Sequence, residues 1–362
     1  MPFLTRRSAL QWSVASAVAA LATPLDSFAN ADPPDQAPAF APGAVIRTLF
    51  KDYRPEQLAG GATLFHEHLS IGADFNQRFA AASRAVLAAQ GISRPPEGPP
   101  PAPPGPDPMR DVALMADELR QAQRDGVSCI VDAGLEGTGM DLDFIREAAR
   151  RSGLPVIKGA GFYTEPFYPD AVRRMSEQQI ADAILKQVDS YPAGALGEIG
   201  SWDEITALER RVFRAVGRVH RATNLPVFTH TGIPGKSALE QLDILEDAGV
   251  DPRRVCIGHL GHLTDPDLYV PKALCRRRAW IAFDRQGSGR DDAVVPNVMR
   301  LIDAGFAGQL LFSGDAFRGY GRVLTVFLPK LRAAGASDAV LRRITVDNPR
   351  RFLAFVPRKS RT

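Results

Sequence analysis

His66-Glu67-His68 closes an apolar run that starts at Ala62. If that run is a β-strand, residues two apart share a side, so both imidazoles face one way and Glu67 the other. An H-x-H pair alone is weak, because polar strand ends are common. Four more candidate ligands end later apolar runs: Glu198 in Gly197-Glu198-Ile199-Gly200, His230 in Phe228-Thr229-His230-Thr231, His259 in Cys256-Ile257-Gly258-His259 and Asp315 in Phe312-Ser313-Gly314-Asp315. Nitrogen and oxygen donors of this kind suit Zn2+ foremost, and also Mn2+, Fe2+ or Co2+. A single one could be a hydrogen-bonded core residue, but six at the ends of five of these runs are difficult to explain as packing. The chain has six histidines, so four in one set is informative. Of the others, His220 falls in a helical stretch and reads as solvated or helix-capping. His262 reads as a solvent-exposed loop residue or a seventh polar contact.

The elements that must position these groups follow from periodicity. Short apolar runs span 62–68, 127–132, 155–161, 195–198, 226–230, 254–259, 279–284 and 309–314. Helical patterns with apolar positions at three and four spacing follow, at 112–124, 141–151, 176–188, 207–222, 237–247, 268–277, 293–304 and 321–332. Several strands are apolar throughout, as expected where both faces are buried. Eight strand–helix pairs predict an α/β fold, a (β/α)8 TIM barrel in a single domain over 32–362. A doubly wound open sheet is the rival, but no G-x-G-x-x-G follows the first strand. Residues 73–109 form an inserted loop region after that strand. Nine of the fourteen residues from Pro95 to Pro108 are proline, which predicts an extended excursion rather than helix or central strand. It reads as a passive surface loop or, with the 73–91 stretch, as a cover over the active face.

Composition narrows the partners. Apolar residues make up 45% and charged residues 23%, with Lys+Arg 44 against Asp+Glu 41. That balance argues against a nucleic-acid partner and against an acidic disordered chain. Three cysteines cannot build a disulfide framework. Arg6-Arg7 precedes a short apolar run, Trp12 to Leu21, and a small-residue site at Ala29-Asn30-Ala31. Residues 1–31 therefore read as a removable twin-arginine export signal, which makes the export machinery a partner and the mature chain periplasmic or secreted. Without Arg6, Arg7 and Asp26 the net charge is +2. No later run is long enough for stable membrane insertion. A homodimer is compatible with the sequence.

From about Thr63 to Phe352 the chain resembles the phosphotriesterase-related branch of the amidohydrolase superfamily. The matching pieces are Thr63–Leu69, Ala195–Gly200, Thr229-His230-Thr231, Arg254–His259 and the ending Asn348-Pro349-Arg350-Arg351-Phe352. The resemblance implies two divalent metal ions. His66, His68 and Asp315 would hold the buried one, His230 and His259 the more exposed one, and Glu198 would bridge them. The best-known phosphotriesterases place a carboxylated lysine at the bridge; Glu198 is similar instead to the phosphotriesterase-homology subgroup. Lys158, on the third strand, does not match that position and reads as a strand-end or surface lysine. Tyr163 resembles a tyrosine that polarises the carbonyl in related lactonases, and Asp284-Arg285 their Asp-Arg pair. Read from the residues alone, Tyr163 is equally a barrel-rim tyrosine, Asp284 a structural strand-end carboxylate and Arg285 a solvated loop cation.

Two cations sharing one water would lower its pKa and present a bridging hydroxide to an electrophilic centre, with Asp315 as general base. Only six residues, Ala316–Gly321, lead from Asp315 into the next helical stretch. Acyl-homoserine lactonases of the resembled family carry a long apolar loop there, so a small carbonyl ester or lactone is expected. Phosphotriester or amide hydrolysis is the alternative. A related barrel nuclease and a metal-stabilised binding barrel are further readings; the near-neutral charge disfavours the first, while fold alone does not decide the second. The export reading predicts that Arg6→Lys with Arg7→Lys leaves the protein in the cytoplasm. Normal periplasmic recovery of that variant, seen by cell fractionation, would refute it.

Overall fold

The computed structural model describes residues 38–89, 105–232, 237–263 and 265–358. The proposed signal and residues 90–104 of the Pro-rich excursion lie outside them. Among the described residues eight parallel strands form one sheet: β1 Ala62–Glu67, β2 Val127–Asp132, β3 Val156–Ala160, β4 Ala193–Ser201, β5 Val227–Thr231, β6 Val255–Ile257, β7 Trp280–Phe283 and β8 Leu310–Phe312. They pair in sequence order from β1 to β8, as the (β/α)8 reading requires. The seam between β8 and β1 is drawn together by Asp315 N–H on the His66 carbonyl (3.1 Å) and His68 N–H on the Ala316 carbonyl (3.0 Å).

Helices cover the strands. Seven of the eight expected stretches form helices: α2 Val112–Arg124, α3 Leu142–Ser152, α4 Glu177–Ser190, α5 Ala207–Thr223, α6 Ala238–Asp247, α7 Tyr269–Arg276 and α8 Asp291–Asp303. The helix α1 Phe75–Ala89 precedes them where the periodicity predicts none. The last expected stretch, 321–332, is a π-helical turn at Val323–Phe327 that runs into a short helix at Leu328–Ala333. Local chemistry sets several ends. Asp111 caps α2, Asp141 caps α3, and Ser176 and Thr206 open capping boxes with Gln179 and Glu209. Gly153 stops α3 in the left-handed conformation that glycine adopts without a Cβ penalty. Leu119, Ile145, Ile184, Val216, Leu245 and Val298 bury the inner helix faces against the strands. A separate cluster including Phe65, Val131, Ile157, Phe228 and Leu311 fills the barrel. No described helix is long and apolar enough to cross a membrane.

Three readings need correction. The inserted region is not all loop: residues 75–89 form α1, and Pro108–Arg110 make a 3-10 turn capped by Asp107. Proline at the first helical position costs no hydrogen bond there, which is why that turn tolerates it. His220 is buried rather than solvated, with Nδ1 2.7 Å from the Leu225 carbonyl, tying the end of α5 to the segment before β5. The His262 side chain lies outside what is described. Lys158 is neither exposed nor at the surface. It sits on the face of β3 turned toward the helices, its Nζ 3.0 Å from Asp132 Oδ2, with both side chains wholly buried.

That pair carries a stability prediction. Lys158→Met strands a buried carboxylate and should cost about 3–5 kcal/mol, read from urea unfolding. Adding Asp132→Asn, which keeps an acceptor for the Leu69 N–H (2.8 Å), should recover much of the loss.

Candidate metal centre

The six predicted ligands meet at the C-terminal mouth of the barrel. Strict alternation would not bring His66 and Glu198 there. A register irregularity between Leu64 and Glu67 lets Phe65 fill the barrel while His66, one residue on, stands above it and still faces inward. A second irregularity, between Leu196 and Ile199, turns Glu198 in and Ile199 out toward the helices. Gly197 is required at that turn: its φ is 144°, and a Cβ would lie 2.4 Å from the Phe228 carbonyl oxygen. Phe65 and Phe228 form the floor, their ring centroids 5.9 and 5.6 Å from that of His66.

His66 Nε2 lies 3.3 Å from Glu198 Oε2 and 3.7 Å from Asp315 Oδ1. His68 Nε2 lies 3.0 Å from the same Asp315 oxygen and 3.4 Å from Glu198 Oε1. On the other side, His230 Nδ1 is 3.0 Å from Glu198 Oε2 and 2.8 Å from His259 Nε2. Glu198 thus stands between a His66/His68/Asp315 half and a His230/His259 half. His66 Nε2 makes no hydrogen bond among the described residues although it is fully buried. Sets of converging donor atoms include His66, His68 and Glu198, and Glu198, His230 and His259. An unbonded imidazole nitrogen amid carboxylate oxygens is a donor set that fits a divalent cation.

Asp284, whose role the sequence left open, braces both halves. Its Oδ2 accepts from His66 Nδ1 at 2.9 Å and its Oδ1 from His259 Nδ1 at 2.9 Å. Oδ1 also accepts the His259 backbone N–H at 2.9 Å, holding that residue at a φ of 62°. With both Nδ1 atoms committed outward, both Nε2 atoms are left facing the centre. A sequence signal for this existed, since Asp284 ends its strand as the ligands end theirs. Arg285 is not a solvated cation: its Nε is 2.9 Å from Asp315 Oδ2. The Tyr163 hydroxyl is buried 3.0 Å from His230 Nδ1.

Burial opposes charge at every group here. At Asp284, Asp315 and Glu198 the facing imidazoles, and for Asp315 also Arg285, outweigh it and hold the carboxyls below their usual range. His68 rises to about 9 against its burial because of Asp315 and Glu198, and His66 also rises. At His230, burial and then the charge of His259 push the imidazole down to about 4. Burial, then Glu198 and Asp315, hold the Tyr163 phenol well above its ordinary value, so it keeps its proton.

The chain is also similar to known proteins. The model for the phosphotriesterase family matches residues 53–353. The phosphotriesterase homology protein of Escherichia coli K12 is 28% identical over 260 residues, 66% of this chain and 88% of its own. A crystal structure of that homology protein, complexed with phosphate in its active site, matches with TM-score 0.68 and 26% identity, covering 83% of this chain and 100% of that one. The N-acetyltaurine hydrolase of Dictyostelium discoideum is 26% identical over 277 residues, 68% of this chain and 75% of its own. The aryldialkylphosphatase of Saccharolobus solfataricus is 27% identical over 268 residues, 66% of this chain and 84% of its own.

The bracing geometry predicts the effect of Asp284→Asn. An asparagine offers one acceptor oxygen where two imidazoles need one each, so Zn2+ affinity should fall about 10–100-fold. His66→Ala and His230→Ala should each lower bound metal further. Elemental analysis after dialysis against limiting Zn2+ reads all three, and undiminished metal throughout would refute the site.

Proposed function

The chain belongs to the phosphotriesterase family, and from that premise we propose that it is a binuclear metal-dependent hydrolase acting on a compact carbonyl ester or lactone. The observation that carries this reading is the Tyr163 hydroxyl, buried beside His230 at 3.0 Å from its Nδ1. In this reading His66, His68 and Asp315 would hold one ion, His230 and His259 the other, and Glu198 would serve both. Bound ions supply Lewis acidity and acidify water.

The chain's own groups divide the remaining work. Tyr163 keeps its proton and donates it as a hydrogen bond to the substrate's carbonyl oxygen, where negative charge develops. Asp315 accepts the proton of the attacking water. Arg285, on Asp315 Oδ2, keeps that carboxylate turned toward the histidines. Aromatic rings exclude bulk. Phe79 of α1 lies 5.2 Å from Trp202 and 6.4 Å from His230, and Phe317 lies 5.5 Å from His68. This supports a covering role for α1 and a small substrate. The N-acetyltaurine hydrolase relatives favour a second reading, amide hydrolysis on the same centre. The twin-arginine signal and a periplasmic location complete the proposal.

The test compares kcat/KM for short lactones, long-chain acyl lactones, N-acyl amides and an aryl phosphotriester on one metal-loaded sample. Short lactones or esters should lead, with chelator abolishing turnover and metal restoring it. Tyr163→Phe should cut their turnover at least about tenfold. A phosphotriester preferred by more than about tenfold, roughly 1.4 kcal/mol in transition-state binding, would overturn the substrate class.

A further inference from the structure

We propose that Glu67, the residue between the two histidines, is a positioning residue for Asp315; the inference rests on the metal reading above. Its side chain is fully buried on the side of β1 away from the cluster. Oε1 accepts from the Ser313 hydroxyl at 2.7 Å and from the Gly314 N–H at 2.7 Å. Oε2 accepts from the Ala316 N–H at 2.8 Å. These donors flank Asp315 on both sides, so one carboxylate grips the whole turn after β8 except the aspartate it presents. Ser313 closes the circuit, since its hydroxyl oxygen accepts the His66 N–H at 3.1 Å.

The grip answers a conformational cost. Asp315 has a φ of 47°, a left-handed conformation that a non-glycine residue holds when its surroundings fix it. The turn is wrapped closely on the carboxylate: a Cβ on Gly314 would come within 3.1 Å of Oε2 and 3.2 Å of Oε1. The β8–β1 seam is also where strand pairing of the sheet ends among the described residues. Glu67 therefore fixes, from the first strand, the loop that delivers a ligand and proton acceptor from the last. Glutamine cannot substitute, because it would turn an NH2 donor toward one of the donors that the carboxylate now satisfies.

The test strips the metal with chelator and titrates Zn2+ back by calorimetry into wild type, Glu67→Gln, Asp315→Asn and the double variant, recording each metal-free melting temperature. Glu67→Gln should weaken Zn2+ binding about 10–100-fold with melting within a few degrees of wild type. Adding it to Asp315→Asn should cost no more than about twofold further, because the residue it acts through is already altered. Wild-type affinity in Glu67→Gln, or its full loss repeated in the Asp315→Asn background, overturns the proposal. Should Glu67→Gln not fold, Ser313→Ala, which removes one of the three donors, takes its place in the same cycle and is judged the same way. Wild-type protein that binds no Zn2+ overturns the metal reading and this proposal with it, an outcome distinct from loss in the variant alone.

Discussion

Three carboxylates and four imidazoles share a few ångströms at the mouth of a barrel, nearly all of them buried. Burying charge costs several kcal/mol per group unless each is paired and hydrogen-bonded. The surrounding structure reads as the answer to that cost. Asp284 commits both oxygens to two histidines, and Arg285 takes one oxygen of Asp315. Glu198 meets imidazole nitrogens from β1 and β5 and from His259 after β6. Opposite charges therefore face one another across the cluster, and the nitrogens left over point inward to where a divalent cation fits.

The backbone pays for this convergence by leaving the regular sheet. The irregularities in β1 and β4 fall at the residues that supply His66 and Glu198. His259 and Asp315 take left-handed conformations just past their strands. Strict alternation would turn His66, next to inward-facing Phe65, into the helical layer, whereas His230, two residues after Phe228, faces inward by alternation alone. The aromatic floor of Phe65 and Phe228, with centroids 6.3 Å apart, gives the displaced residues a rigid base; such a pair contributes about 0.5–1.5 kcal/mol beyond its buried area.

Strand and helix positions were legible because they rest on local periodicity. Val112–Arg124 matches the expected helix end to end, and β2 matches 127–132. The cluster of candidate ligands was legible because each ends an apolar run. What escaped the sequence are contacts between distant residues. Lys158 looks like a strand-end lysine until the neighbouring strand brings Asp132 beside it. His66 and Asp284 are separated by 218 positions, and Glu67 and Ser313 by 246. No pattern within one strand encodes those pairings. The helix at Phe75–Ala89 was hidden by the proline-rich stretch behind it, which made its own periodicity look like part of a loop.

The pairing through Asp284 makes the two halves of the centre mutually dependent. One carboxylate holds His66, in the half with His68 and Asp315, and His259, in the half with His230. Rotating the carboxylate to favour one imidazole lengthens its bond to the other. A change in either half is therefore felt in the orientation of an imidazole in the other half, without direct contact between the two. Glu198 couples them a second time from the opposite wall, with Oε1 toward His68 and Oε2 toward His230. Two rigid carboxylates, each spanning both halves, leave little freedom for one position to relax alone. The cluster is built to distort as a unit, so a geometry fixed in one half is transmitted to the side chains of the other.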